Sequence, residues 1–421
     1  MSKHLANFLS TINALIKRYP KTTFVLFALI IARAAYISFG AATLGEWASL
    51  DMQWYPTKQL FGLGEFEQAL NPYIAYLNGD VFLANGPNYM PLMYYVMFPF
   101  ALLEWGEAKI AFALCNIILF CGTIFLFAHY GVNRAFVYGA GVLAVFGYCF
   151  GNVIGNAQSA IMIGFFIALA YCFRHKPIIL SIALAFVCIK HSFGLPLLLG
   201  FFLAGYRRKV IAAGALVALA VCAFSLQTHT NPIDTLHLLS QVNAAHYASG
   251  TALGGPSDLF SLSQKLFHNP ISPISLITLA IYASFVWIVY VYRPSESAII
   301  SASVVLSLFS LPHLGYDSYM LLLALLIAKN SYKIISTPIL ALLALMLFIY
   351  RGQKLKPYID SLSQATMQLL NGGGAIHNAR NPLGYEYGGT ILHRYVYGIC
   401  ACVLPALAPC AQELATHKAK I

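Results

Sequence analysis

The chain has 421 residues, of which 59% are hydrophobic and only 9% charged. A soluble domain carries roughly a quarter charged residues, so these charges cannot cover a water-facing surface, and lipid must cover much of it. The formal net charge of +11 would suit nucleic acid in a soluble protein; here the basic residues sit in short clusters beside apolar blocks, which points to membrane orientation and away from nucleic acid.

The first apolar block, 22–40, follows Lys17, Arg18 and Lys21. No small-residue cleavage site follows it, so it is expected to be a retained first span with a cytoplasmic N-terminus. Residues 41–88 form a first outer loop that carries Glu46, Asp51, Lys58, Glu65, Glu67 and Asp80 among Trp47, Trp54, Tyr55, Tyr73 and Tyr76. Trp and Tyr favour the headgroup level, so the loop is expected to hold interfacial helices, one of them over 50–62. Asn71-Pro72-Tyr73 and Asn88-Tyr89-Met90-Pro91-Leu92 read as a turn and a re-entry point. Four apolar blocks follow before residue 174, whereas the charge rule requires an odd number of crossings. One block must therefore be re-entrant or miscounted, and the first candidate is 89–103, which is short and contains Pro91 and Pro99.

Arg174-His175-Lys176 and Arg207-Arg208-Lys209 are two further basic clusters, both expected inside. The stretch between them, 177–206, must leave and return. Its arms are short, and its turn at Lys190-His191-Ser192 faces outside or lies at membrane depth. Residues 210–224 then run outward, 227–270 form a second outer loop, and the blocks 274–292, 298–311, 319–328 and 335–350 alternate in direction. A late outer loop, 351–390, precedes a last span at 395–408 that places Lys418 and Lys420 inside. Spanning backbone must satisfy its own hydrogen bonds, so helices are required. The expected fold is an all-α polytopic membrane protein of about 12 transmembrane helices, with 1–421 as a single integral membrane domain. The nine cysteines lie mostly in apolar blocks and read as small packing residues.

This topology gathers the unusual polar residues on the outer side. Asp51 lies just beyond the first span; taken alone, it reads as a carboxylate at a helix start. Lys190 and His191 interrupt an apolar hairpin, where ionisable groups are costly and usually functional; the plainer reading is a snorkelling Lys beside an interfacial His. His313 and Asp317 flank a span boundary and could equally be part of a helix cap. Asn156 and Gln158, in Gly155-Asn156-Ala157-Gln158-Ser159, could cap a helix or bond between helices. Each position alone is a weak signal. Together they put a carboxylate, a Lys and two His at one face, where they can bind an anionic headgroup and take a proton from a hydroxyl.

The order of these residues resembles the membrane-embedded, polyprenyl-phosphate-sugar-dependent glycosyltransferases of the GT-C class, and more narrowly glycosyltransferase family 87, the polyprenyl-phosphate-mannose-dependent mannosyltransferase-like proteins. The resemblance covers the first 330 residues or so in outline. It rests on Asp51 after the first span, Asn71-Pro72-Tyr73, Tyr89-Met90-Pro91-Leu92, the loose match at Gly155-Asn156-Ala157-Gln158, the two basic clusters around Lys190, and a late His313 and Asp317. The usual Gly-Gln pair is rearranged, and Lys190 is followed by His-Ser where the family commonly has Pro.

The resemblance implies a GT-C-like bundle. In it Asp51 would be the general base that deprotonates an acceptor hydroxyl, with inversion at the sugar. Lys190, His191 and His313 would hold the donor phosphate. Trp54, Tyr55 and Tyr89 can stack on sugar rings, although anchoring at the interface is the commoner role of such residues, and Gln158 and Asp317 are further candidate substrate contacts. It implies a polyprenyl-phosphate sugar donor, mannose first, and a glycolipid or glycan acceptor in the bilayer. It also implies no metal, no cofactor and an active site on the periplasmic or exterior side of a bacterial inner membrane. Two other readings compete. A transporter or flippase of lipid-linked sugar should show repeats and broken-helix ion sites, and no repeat is visible. A non-catalytic scaffold would not need Asp51, Lys190 and His313 on one face.

Overall fold

The computed structural model describes residues 14, 18–40, 53–80, 86–130, 133–146, 148–155, 157–248, 276–311, 313 and 315–331. Contacts divide the chain into two units, Met1–Ile335 and Ser336–Ile421, and every described residue belongs to the first. All regular structure among the described residues is helical, as the composition requires. Asp51, Asn156, residues 249–275 of the second outer loop, the late loop 351–390 and the spans expected at 335–350 and 395–408 lie outside the described residues.

The first expected span is a helix, α1 (Pro20–Gly40). The first outer loop contains two short helices, α2 (Trp54–Phe61) and α3 (Pro72–Asn78). Local chemistry sets their limits. Helix α2 stops at Gly62, whose φ of 60° is a left-handed conformation that glycine adopts without a Cβ penalty. Helix α3 starts where the Asn71 side chain accepts the Tyr73 and Ile74 backbone N–H groups and Pro72 takes the first helical position. The block at 89–103 becomes α4 (Leu92–Ala101), ten residues with Pro99 inside. At about 15 Å it is half the length of a crossing; several other apolar helices among the described residues are also shorter than a span.

Helix α5 (Trp105–His129) and helix α11 (Arg207–Gln227) are each long and apolar enough to cross a membrane. Between them run α6 (Arg134–Phe146), α7 (Tyr148–Gly155), α8 (Ala160–Cys172), α9 (Pro177–Val187) and α10 (His191–Leu203). Helices α7 and α8 bend by 114° at their break and together are apolar enough for a third span. Helix α12 (Pro232–Ala248) occupies the start of the second outer loop. Helices α13 (Leu276–Tyr292), α14 (Glu296–Ser310) and α15 (Met320–Ser331) follow, with a 3-10 turn, Gly315–Tyr319, before α15. Large apolar side chains on the outer faces of α5 and α11, among them Ile118, Phe125, Ile211 and Leu219, are exposed, as lipid-facing positions should be. The described residues thus supply two spans, or three with the bent pair, and the arrangement of about 12 stays with the proposal below.

The group that positions the site is α9, α10 and α14. Helix α10 packs on α14, and α14 on α15, through small residues. A Cβ at Gly200 would collide with the Ser303 side chain. Ser301 Oγ crosses to the Ala324 carbonyl at 2.8 Å, while Ser303 and Ser307 bond back to their own helix. Close backbone approach through Gly and Ser is how helices associate where no water drives them together. The three helices have 11, 13 and 15 residues, or about 16, 20 and 22 Å of length, against a hydrocarbon core of about 30 Å. The expectation of a short-armed hairpin at 177–206 therefore agrees with the structure.

The hairpin turn is tight. A Cβ on Gly194 would lie 2.6 Å from Cys188 Cα, a backbone atom that cannot move aside. Gly194→Ala should therefore lower stability by about 1–3 kcal/mol through overpacking. Gly214→Ala on α11, where nothing lies within 4 Å, should be neutral or raise stability by up to about 1 kcal/mol. Thermal unfolding of the two variants in the same detergent checks the contrast.

Candidate active site

Two polar clusters close the two ends of the α9–α10–α14 group. At one end, Lys190 joins α9 to α10, and the 3-10 turn after α14 carries Asp317. Lys190 Nζ donates to Asp317 Oδ2 at 2.7 Å, across 127 positions of sequence. His313 Nδ1 donates to the same oxygen at 3.0 Å, which requires the proton on Nδ1. Asp317 and the His313 side chain are fully enclosed, and the Lys190 side chain retains 16% exposure. The Phe193 ring, one turn into α10, packs on the His313 ring at 4.3 Å and lies 5.6 Å from Lys190 Nζ.

A carboxylate this deep is tolerable only because it is paired and hydrogen-bonded. One oxygen of Asp317 does all of that bonding. Its Oδ1 makes no hydrogen bond among the described residues, nor do the buried atoms His191 Nδ1 and Ser192 Oγ beside Lys190. Most buried polar atoms have a partner; these three, which belong to a wider set without a hydrogen bond among the described residues, lie near a single ion pair, where a polar group could be received.

The re-entry segment reaches this end. The Met90 N–H donates to the Ile189 carbonyl at 3.0 Å, one residue before Lys190. Tyr89 is buried; its hydroxyl shares a hydrogen bond with Ser159 Oγ at 2.9 Å, and its carbonyl accepts from Tyr73 OH at 2.6 Å. Burial holds the Tyr73 phenol well above its ordinary range, so Tyr73 acts as a neutral strut from α3. At the α7–α8 break, Ala157 sits at a φ of 51°, and the Gln158 carbonyl accepts Asn116 Nδ2 at 3.3 Å. Tyr89, Ala157, Met162 and Ile189 belong to one buried cluster with Trp54. The re-entry point, the broken helix and the Lys190 turn therefore converge.

The sequence candidates fall into three groups. Lys190, His313 and Asp317 are in direct contact, with His191 adjoining them. Tyr89 and Gln158 stand in the segments that pack beside them, and Gln158 is buried. Trp54 and Tyr55 are in α2; Trp54 donates from Nε1 to the Leu103 carbonyl at 3.1 Å and has Lys58 Nζ 4.3 Å from its ring and the Trp105 ring at 5.5 Å. Tyr55 is half-buried and packs on Phe66 at 5.2 Å. Asp51 is outside the described residues. Sequence reasoning missed Phe193, Ser159 and the Tyr73 strut. Tyr73 lay in a quoted motif, but its partner is a backbone carbonyl, which no residue pattern announces.

At the opposite end, Arg174 Nε meets Glu296 Oε2 at 3.1 Å, and Tyr206 OH donates to the same oxygen at 2.8 Å. Burial, and then the Glu296 carboxylate, push the Tyr206 phenol well above its usual range.

The model of glycosyltransferase family 87 matches residues 88–314, more than half of the chain. The chain belongs to glycosyltransferase family 87. It is thus a glycosyltransferase with membrane-type helices. No curated protein and no solved structure matches it. The family match begins at Asn88, at the re-entry point, and takes in Tyr89, Gln158, Lys190, His191 and His313. Asp51, Trp54 and Tyr55 precede it, and Asp317 lies three positions beyond its end. The family region thus contains the re-entry point, the α7–α8 break, the Lys190 turn and His313, while Asp317 and the Tyr73 strut lie outside it.

Removing one partner of a buried ion pair leaves an uncompensated charge. Asp317→Asn should cost about 3–5 kcal/mol in unfolding experiments. Adding Lys190→Met to Asp317→Asn should cost little more, because the stranded ammonium is then gone. Strictly additive losses would contradict the pairing.

Proposed function

We propose that this glycosyltransferase moves a hexose, mannose first among candidates, from a polyprenyl-phosphate sugar to a hydroxyl of a glycolipid or glycan, with inversion and without a metal. The observation that carries the reading is the enclosed Lys190–Asp317–His313 contact, with buried polar atoms near it that make no hydrogen bond among the described residues. An ammonium has three N–H donors, so holding Asp317 is compatible with holding a phosphate oxygen. Departure of polyprenyl phosphate develops negative charge on that oxygen. Cations fixed beforehand in a water-poor site stabilise it without reorganising. In this reading Asp317 is a positioning residue: it aims Lys190 and His313, while His191 and Ser192 supply further polar contacts at the start of α10.

Asp51 remains the proposed base for the acceptor hydroxyl, on its place after the first span and its resemblance to the family pattern. One carboxylate suffices where phosphate is the leaving group; hydrolytic glycosidases need a second to protonate theirs. Trp54, Tyr55, Tyr89 and Gln158 would line the sugar side. The proposed setting is a GT-C-like bundle of about 12 spans in a bacterial inner membrane, with the N-terminus cytoplasmic and the site facing outward. The loops 41–88, 227–270 and 351–390 then lie on the outer side. A long-chain donor stays in the bilayer, so its headgroup must be met at or below the interface. The short lengths of α9, α10 and α14 support a polar turn at that depth.

Purified protein in lipid should transfer radiolabelled hexose from a polyprenyl-phosphate hexose. Asp51→Asn should lower kcat by about 10²–10⁴-fold with donor binding retained. Lys190→Met should cost about 10²–10³-fold. Equal turnover in wild type and Asp51→Asn removes Asp51 from the role of base. No turnover with any polyprenyl-phosphate hexose, together with lipid-sugar flipping in sealed vesicles, supports a flippase instead.

A further inference from the structure

We propose that the two basic turns at the end of the bundle opposite Lys190 form a binding site for anionic phospholipid headgroups. The turns are Arg174–Lys176, before α9, and Tyr206–Lys209, after α10. They are separate in sequence and joined in space. Tyr206 OH lies 3.4 Å from His175 Nδ1 and donates to Glu296, which also holds Arg174. Ser181 Oγ, one turn into α9, donates to the Lys209 carbonyl at 3.0 Å. Tyr171 OH and Ser297 Oγ share a further bond at 2.7 Å. These contacts fix five chain segments against one another, so the cations stand on a rigid frame.

The charge at this frame is unbalanced. Glu296 Oε2 is already shared by Arg174 and Tyr206. Lys176, Arg207, Arg208 and Lys209 make no salt bridge among the described residues. His175, Lys176, Arg207 and Arg208 are exposed. Directly along the helices that leave the turns, Ile178 is 73% and Ile211 66% exposed, with Phe202 and Ile182 beside them. A rim of fixed cations above an exposed apolar band has the chemistry of a phosphate headgroup above its acyl chains. A free phosphate would use only the rim, and an acidic protein would have no use for the band. The site lies one short helix, about 16–22 Å, from the Lys190 cluster and does not depend on the donor assignment. Through α9, α10 and α14 it braces the elements that carry that cluster.

The test compares the full chain in bilayers of phosphatidylcholine alone with bilayers also containing phosphatidylglycerol. The thermal midpoint of wild type should rise with phosphatidylglycerol, and the rise should shrink at high salt. Arg207→Gln and Arg208→Gln should each reduce the rise, and the triple variant with Lys176→Gln should abolish it. Because the single variants change exposed side chains, the result does not hang on whether the triple variant folds. No difference between the lipids for wild type overturns the proposal, as does an undiminished rise in the variants. An equal rise with inorganic phosphate in phosphatidylcholine would assign the site to a free anion and overturn the lipid reading.

Discussion

The structure is organised around one buried carboxylate. Asp317 is fully enclosed, and its Oδ2 receives both Lys190 and His313. An isolated charge in such a place is costly enough that the chain must supply partners or neutralise it. Here the partner comes from the far side of a hairpin 127 positions earlier. Satisfying it fixes the α9–α10 turn against the junction that follows α14. That requirement explains the tight features nearby: the glycine at 194 that lets α10 begin against Cys188, and the Gly200–Ser303 crossing that lets α10 and α14 approach. Small residues bring the backbones together, and the ion pair sets how they are aligned.

The lengths of the helices give this pair its chemical setting. Helices α9, α10 and α14 are shorter than a full crossing, and each has charged or phenolic groups at one end and the Lys190–Asp317–His313 contact at the other. An arrangement with one end at a headgroup layer leaves the other below the opposite surface. In the proposed membrane setting, water is scarce at that depth and electrostatic interactions are strong. Family 87 membership states that the protein transfers sugar. The geometry adds a contact that the family match does not give: Lys190 Nζ meets Asp317 Oδ2 at 2.7 Å.

Much of this was legible in the sequence, and the rest was hidden for definite reasons. Lys190 and His191 stood out because they interrupt an apolar hairpin, and His313 with Asp317 because they flank a span boundary. Their four-residue spacing did place both on one local turn. What the sequence could not reveal was that Lys190 and Asp317 meet, since nothing in either neighbourhood encodes a contact at that separation. Asp317 was read as a substrate contact; that its Oδ2 meets both Lys190 and His313 supports the positioning role proposed for it beside that reading. Hydropathy also treats a half-length helix like a span. The block at 89–103 is such a half-length helix, α4, with Pro99 inside. Trp54 was placed in an interfacial helix, and α2 is there; Lys58 reaches its ring from the next turn of the same helix, whereas the Trp105 contact depends on tertiary packing.

The most direct test of the central claim is an experimental structure of the full protein with polyprenyl phosphate bound. The account predicts the phosphate within hydrogen-bond distance of Lys190 Nζ and the His313 ring, with Asp317 still holding both from behind. A phosphate bound elsewhere, with the Lys190–Asp317 contact closed and untouched, would contradict it and reduce the pair to a device that only aligns helices.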